Sequence, residues 1–553
     1  MEKKIWHDKY PAGVASEVDV TRYQSVAQIL DECFEKYADQ TAYINMGASL
    51  TFGEVDKLSH DFAAYLQELG LEKGDRIALQ MPNILQYPIA LFGAIRAGLI
   101  VVNTNPLYTA REMKHQFKDS GAKAIVILDL FASKLDEIIA DTDIEHVILA
   151  RFGDMLGGLK GFITNFVVKY IRKMVPAYSL PTAVPFKQAL SIGSDCRYLQ
   201  PEIKSDDVGF LQYTGGTTGV SKGATLSHGN LVANMLVMEE WNGGLLEEKE
   251  EIIITALPLY HIFAFTINCL AMVSVGGTNV LITNPRDMKG FLKEISKYKF
   301  TVITGVNTLF NGMLNHPGIE EVDFSKLKLA AGGGMAVQVA VNDAWKARTG
   351  KPILEGYGLS ETSPVLSTNP NDGTDQIGTI GVPIPNTDMK IMDDQGNEVA
   401  IGERGEICAK GPQVMRGYWN KLDENDKYFF PGGWFRTGDI GIMREDGFFK
   451  IVDRKKDMIL VSGFNVFPNE IEDVVAHHPG VLEVAAIGVP DEKSTEAVKI
   501  FVVKKDPAVT VDDIRAYCKE NLTGYKVPKH VEFRDELPKS NVGKIIRRML
   551  KEE

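Results

Sequence analysis

Short apolar runs alternate with amphipathic stretches through the middle of the chain, and the two periods differ. From about Asp206, VGFLQYT, EIIITALP, NVLIT, FTVIT and LKLAAGG are continuous β-rich runs. Between them, apolar residues recur at helical spacing near residues 262–273, 287–298, 306–314 and 336–347. Buried strands alternating with helices predict parallel βαβ construction. Ser227 is placed to cap a helix over residues 229–241. The stretch at 88–102 is almost wholly apolar but carries Arg96 at its centre and is shorter than the ~20 residues a membrane span needs, so it reads as a core helix followed by a strand. Parallel sheets of this kind place ligand sites in the loops at the carboxyl ends of their strands. The loops at 214–223, 258–265, 332–335 and 355–362 are therefore expected to converge.

The pattern changes twice. After Gly402, shorter strands and glycine-rich turns appear (GERGEICAKG, GGWFRTGD, EDGFFKIVDRKKD). From about residue 455, helix-like PNEIEDVVAHH, strand-like EVAAIGV and AVKIFVV, and helix-like VDDIRAYCKE predict a small α+β unit. The basic run RKK at 454–456 reads as a solvated joint, which divides the chain into a body over 1–454 and a small unit over 455–553. A second anomaly lies at 155–194, which holds Lys160, Lys169, Arg172, Lys173 and Lys187 and no acidic residue. On a helical projection, Ile163, Phe166, Val167, Tyr170, Ile171, Met174 and Val175 share one arc and the basic residues the other side. Two readings stand: a helix lying in a membrane interface, or one docked on its own domain with a basic solvated face.

Composition adds limits. The 553 residues carry 60 Lys+Arg against 73 Asp+Glu, a net charge of −13, which disfavours broad nucleic-acid binding. Five scattered cysteines without a CxxC pair suit a reducing compartment, and the N-terminal residues show no apolar signal-peptide core.

The stretch Tyr213, Thr214, Gly215, Gly216, Thr217, Thr218, Gly219, Val220, Ser221, Lys222, Gly223 is the richest in chemistry. Its glycines let backbone N–H groups approach an anion, its hydroxyls add donors and Lys222 adds charge, which together make a phosphate cradle. It is not a Walker A loop, because Lys222 is followed by glycine and no helix opens there. Residues 355–362 set Glu355 and Glu361 around the Gly356-Tyr357-Gly358 turn, followed by Thr362, offering a flat surface for a base and a hard oxygen for Mg²⁺. Asp439, in a TGD turn, suits a ribose diol, and Arg454 follows Asp453 as a guanidinium able to reach an oxyanion. Lys544, in the polar turn PKSNVGK, can stabilise charge on a carboxylate and an α-phosphate.

In order, YTGGTTGVSKG, YGLSET, TGD, DRKK and PKSNVGK resemble the adenylate-forming superfamily of acyl-CoA synthetases and adenylation domains. The stretch from GGWFRTGD to NEIEDVV resembles the fatty-acyl-CoA synthetase signature, and nearly the whole chain resembles the bacterial fatty-acid–CoA ligases. The resemblance implies an α/β fold: a large N-terminal body with mixed and parallel sheets flanked by helices, plus a small, mobile α+β C-terminal domain. It implies ATP-dependent activation of a long-chain fatty acid through an acyl-adenylate with release of pyrophosphate, then transfer to CoA with release of AMP; the alternatives are a fatty-acyl-AMP ligase, a medium-chain or aryl acid–CoA ligase and, more remotely, a non-catalytic lipid-binding adaptor. By the same resemblance, residues 214–222 hold the phosphates, Gly356 to Gly358 the adenine, Glu361 with Thr214 the Mg²⁺, and Asp439 and Arg454 the ribose. Lys544 bridges the carboxylate and α-phosphate, His261 lies beside the acyl carbonyl, and Lys456 is the hinge. Ser462, Gly463 and Phe464 shape the CoA channel, while Phe265, Gly305 and Gly333 fall near the fatty-acid tunnel. A cytoplasmic location follows, with 155–194 as a peripheral contact to the cytoplasmic face of the inner membrane, and a homodimer is compatible with the resemblance.

Overall fold

The computed structural model describes residues 4–214, 221–454, 456–462, 464–491 and 494–552. Two large sheets form the body. One has nine strands, in the order Val382–Pro383, Val365–Thr368, Ile353–Gly358, Leu329–Gly333, Val302–Gly305, Ile252–Thr255, Thr278–Leu281, Thr41–Asn45 and Ala48–Thr51. Its six inner strands run parallel, as the βαβ pattern predicts, and its outer pairs are antiparallel. The helices between them are Met288–Ile295, Asn307–Leu314 and Val339–Thr349. Over Ala264–Leu270 the chain winds as a π-helix rather than an α-helix.

The seven-stranded sheet runs Val184–Pro185, His146–Ala150, Ala124–Leu128, Arg76–Gln80, Ile100–Asn103, Val208–Thr214 and Lys222–Ser227. Its last two strands are an antiparallel pair, Thr214 opposite Lys222, so the glycine-rich stretch links a hairpin instead of crossing to a parallel neighbour. Ser227 accepts the N–H of Asn230 and caps helix His228–Asn242. The 88–102 stretch is helix Gln86–Arg96 and strand Ile100–Asn103, both inside the body. Arg96 is 1% exposed and its guanidinium meets Asp56 at 2.7 Å and Asp31 at 3.2 Å, the pairing a buried charge requires. Phe34, Phe52, Phe92, Leu257 and Phe265 belong to the main core, which draws on both sheets.

A third, antiparallel sheet follows: Asp388–Met392, Gly405–Lys410, Trp434–Met443, Phe429–Phe430 and Phe449–Arg454. Beyond residue 456 lies a separate five-stranded sheet, Phe464–Val466, Ile459–Val461, Thr495–Lys504, Val481–Asp491 and His530–Arg534, packed by helices Pro468–Ala476 and Val511–Asn521 over its own apolar core. The mixed sheets and α+β terminal unit are those the resemblance implies. Four of the five cysteines, Cys33, Cys269, Cys408 and Cys518, are buried.

The basic segment forms helix Gly158–Phe166, continued by a π-turn over Val167–Ile171. Its apolar side is not docked: Leu159, Phe162, Ile163, Phe166, Tyr170, Ile171 and Met174 are between 46% and 75% exposed. No helix among the described residues is long and apolar enough to cross a membrane.

Candidate active site

Strand ends from both large sheets meet the third sheet at one place, and sheet register fixes much of it. Asp439 and Arg454 are opposed on the antiparallel pair Trp434–Met443 and Phe449–Arg454. The guanidinium Nε lies 3.6 Å from the Asp439 carboxylate. Gly438, at φ +75°, supplies the left-handed backbone of the TGD turn. Tyr357, near the end of strand Ile353–Gly358, donates its hydroxyl to Asp439 at 2.7 Å. Burial raises the Asp439 carboxyl above its ordinary value, opposed by Arg454, Tyr357 and Lys544.

Glu361, in the short turn Ser360–Thr362, is 7% exposed and accepts the Tyr418 hydroxyl at 2.7 Å. The Thr214 hydroxyl also meets it, and burial raises its carboxyl. Glu355 does something different. Its carboxylate accepts the Val337 N–H at 3.2 Å, and burial pushes it up to about 8, so near neutral pH it is largely uncharged. The hydroxyl of Thr362 is engaged within its own turn, donating to Pro364 O at 2.5 Å. Gly356 pairs with Gly333 across the parallel ladder, while a side chain at Gly358 would collide with the Pro364 carbonyl, 1.8 Å away.

The described residues flanking the glycine-rich stretch, Tyr213 and Ser221, are both anchored. Tyr213 donates to Asp119 at 2.6 Å, and a ring nitrogen of His115 lies 2.9 Å from Ser221 O. Lys222 Nζ donates to the Tyr428 hydroxyl at 2.6 Å and sits over the rings of Tyr418 and Tyr428. Gly215, Gly216, Thr217, Thr218 and Gly219 lie outside the described residues, as does Gly463.

Lys544 reaches this place from the small unit. Its side chain crosses Gly334, where a Cβ would stand 2.9 Å from its Cε. Burial, then the charge of Arg454, lowers its ammonium to about 8, against the opposing pull of Asp439 and Glu361. His261 is on the same side: burial and then Lys544 depress its imidazole to about 3, so the ring is neutral at physiological pH. Gly333 is covered by the Phe263 ring, 3.1 Å from a built Cβ. Over Gly305 the space is filled by Phe310 and Leu309, and Phe265 is fully buried with its ring on Phe210 at 4.8 Å. Lys456 lies in the exposed turn at the joint, and Phe464 stacks on Tyr525 of the small unit at 4.7 Å. Ser462 takes a positive φ of 51° and donates its N–H to Ser494 O.

The structure thus brings together Thr214, Lys222, His261, Gly333, Tyr357, Glu361, Asp439, Arg454 and Lys544. Sequence reasoning passed over Tyr418 and Tyr428, which cage Lys222 and hold Glu361, and His115 and Asp119, which anchor the loop ends. Their signal is an aromatic pair ten residues apart, which has no meaning until the chain folds.

A buried carboxylate paired to a strand-opposed arginine, beside a glycine-rich hairpin link and a desolvated lysine from a second unit, is an arrangement for handling a nucleotide and a carboxylate together. Residues 30–419 match the AMP-binding enzyme family and residues 470–544 its C-terminal domain; the chain belongs to this family. It is 57% identical over 552 residues to a long-chain-fatty-acid–CoA ligase of Salmonella typhimurium, covering 100% of this chain and 98% of that one. It is 54% identical over 556 residues to the enzyme of the same name from Haemophilus influenzae, with the same coverage. Among solved structures, an anthranilate CoA ligase bound to anthranoyl-AMP shares the fold with a TM-score of 0.85 at 24% identity, covering 96% of this chain and 98% of that one.

Proposed function

We propose that this protein is a long-chain fatty-acid–CoA ligase that forms an acyl-adenylate from ATP and then transfers the acyl group to CoA, releasing pyrophosphate and AMP. The observation that carries the reading is the full-length identity to two enzymes of that name, combined with the single cluster of Glu361, Asp439, Arg454 and Lys544. A carboxylate oxygen is a poor leaving group; attack of the fatty carboxylate on the α-phosphorus of ATP replaces it with AMP, which the CoA thiol then displaces.

In the first step Thr214 and Lys222, with the intervening loop, hold the phosphates; Tyr357 and its flanking glycines take the base; Asp439 accepts the ribose hydroxyls with Arg454 beside it. Lys544 lies against charge on both the carboxylate and the α-phosphate, a task of positioning and neutralisation. His261, kept neutral, is a hydrogen-bonding neighbour of the acyl carbonyl and not a cation. Glu361 and the Thr214 hydroxyl are hard oxygen donors at one spot and fit Mg²⁺, which when bound would neutralise phosphate charge. Residues 455–553 act as a mobile unit about Lys456, exchanging Lys544 for the loop of Ser462, Gly463 and Phe464 in the CoA step. Passage of the alkyl chain by Gly333, Gly305 and Phe265 requires the Phe263 and Phe310 rings and the Leu309 side chain packed there to move.

Incubation of purified protein with ATP, Mg²⁺, CoA and saturated acids from C6 to C18 is expected to release AMP and acyl-CoA, with the longer acids preferred. Absence of AMP with every acid sinks the reading; acyl-AMP without thioester indicates a different acceptor. The exposed apolar face at 159–174, flanked by Lys160, Lys169, Arg172 and Lys173, extends the proposal to peripheral contact with an anionic bilayer, at about 1 kcal/mol per basic residue. Co-sedimentation with anionic vesicles should weaken with salt and with Lys169→Glu plus Arg172→Glu; indifference to both counts against it.

A further inference from the structure

Arg547, outside the cluster described above, gathers more ionic partners than its place in a basic tail suggests. It opens the terminal helix Arg547–Lys551, three residues after Lys544. Its Nε and Nη2 grip the Glu472 carboxylate at 3.0 and 2.7 Å, and Nη2 also donates to Asn469 Oδ1 at 2.6 Å. Its Nη1 lies 3.4 Å from Asp453 and 3.5 Å from Asp457. Glu472 and Asn469 belong to helix Pro468–Ala476 of the small unit, Asp457 to the joint, and Asp453 to the body strand that carries Arg454. One guanidinium therefore spans the joint at 454–457.

We infer that Arg547 is a positioning residue for adenylation: by bonding Asp453 of the body strand on one side and Asp457 and Glu472 of the small unit on the other, it seats the Lys544 turn against the body. The inference rests on the function proposed above. The connection to Lys544 is short and stiff, because Lys544 N–H donates to Ser540 Oγ, Ser540 N–H to Lys544 O, and Ile546 N–H to Pro538 O. Asp453 is fully buried, and its second oxygen accepts the Asn469 N–H at 2.9 Å. Turning the small unit away would strip this carboxylate of its cation and of the Asn469 N–H, leaving the Arg454 N–H of its own strand at 2.7 Å, so the ion network favours the seated orientation. The other contacts across the joint include single hydrogen bonds from Thr308 to Gly543 O and from Asn311 to Leu482 O, both 2.8 Å, the paired hydrogen bonds of Arg286 to Ser540 O and Asn541 Oδ1, and Arg404 over the Phe467 ring. Only a planar fork can reach Glu472 and Asn469 while facing Asp453, which sets arginine apart from lysine here.

The experiment separates the half-reactions in the full-length enzyme. Arg547→Gln is expected to lower fatty-acid-dependent ATP–pyrophosphate exchange about 10- to 100-fold, while transfer from pre-made acyl-AMP to CoA stays within about twofold of wild type; Arg547→Lys should restore the exchange only in part. Should Arg547→Gln fail to fold, Asn469→Ala removes one of its partners with the charges intact and is expected to show the same split on a smaller scale. Equal loss in both half-reactions, full rescue by lysine, or unchanged exchange overturns the inference. A wild-type enzyme that forms no acyl-AMP overturns instead the function on which it rests.

Discussion

The two sides of the candidate site are held by different physics. On the body, Asp439, Tyr357 and Glu361 are fixed by strand register and by short hydrogen bonds from tyrosine hydroxyls, and each is buried. On the small unit, Lys544 stands on a turn whose seating we attribute to the ion network of Arg547, which reaches Asp453 across the joint and Asp457 and Glu472 within the unit. Register-bound groups cannot leave without unzipping a sheet. Ion pairs at a joint can be exchanged as a set, since their partners regain water when the surfaces part. On the proposed function, the contrast separates a permanent half of the site from a half that serves one step.

Lys544→Ala breaks the comparison most severely. On the proposed function, the loss of charge at the α-phosphate should cost about 100-fold or more in ATP–pyrophosphate exchange, with acyl transfer from pre-made acyl-AMP retained. Asp439→Asn, on the body side, should impair both half-reactions, since the ribose contact persists through both. Rapid-quench assays of each half-reaction check this. Equal behaviour of the two variants would mean that both sides of the site serve both steps.

How far the sequence carried the reading follows the same division. Local patterns were sufficient for the parallel strands of the nine-stranded sheet, the Ser227 cap and the small α+β unit, because period and capping are properties of neighbours in the chain. The order of that sheet was not accessible: Thr41–Asn45 pairs with Thr278–Leu281 across more than two hundred residues of chain. The hairpin pairing of Thr214 with Lys222 was missed because glycines and threonines read as a loop whatever their flanks do. In the site, residues inside motifs were visible, and Asp439, Arg454 and Lys544 do converge. Glu355 and Thr362 share the motif of Glu361 but point their polar groups into the backbone around them. Adjacency in sequence cannot report that difference, because Glu355 lies on strand Ile353–Gly358 while Glu361 and Thr362 lie in the turn Ser360–Thr362 that follows it. Tyr418, Tyr428 and Arg547 act through partners remote in sequence, and only the folded contacts reveal them.

A finer test uses the same lysine without removing it from the fold. Burial and Arg454 lower the Lys544 ammonium to about 8, from an ordinary value near 10.5. Two consequences of opposite sign follow. For catalysis, the charged form is required, so kcat/KM for ATP in the exchange reaction should fall as pH rises through about 8, the free-enzyme value that this parameter reports. For stability, a base whose pKa is lowered on folding binds fewer protons in the native than in the unfolded state between about 8 and 10.5, so its contribution improves as pH rises across that window and is lost as pH falls through about 8. At pH 7 the buried ammonium is therefore a burden on the fold. Lys544→Met should stabilise the protein there by an amount on the order of 1 kcal/mol, shrinking toward zero above about pH 10.5, where the wild-type amine is neutral in both states. Thermal melts of both proteins at pH 7 and pH 10.5 measure the difference. A methionine variant less stable at pH 7 would show that Asp439 and Glu361 outweigh desolvation, and that the lysine anchors the small unit instead of straining it.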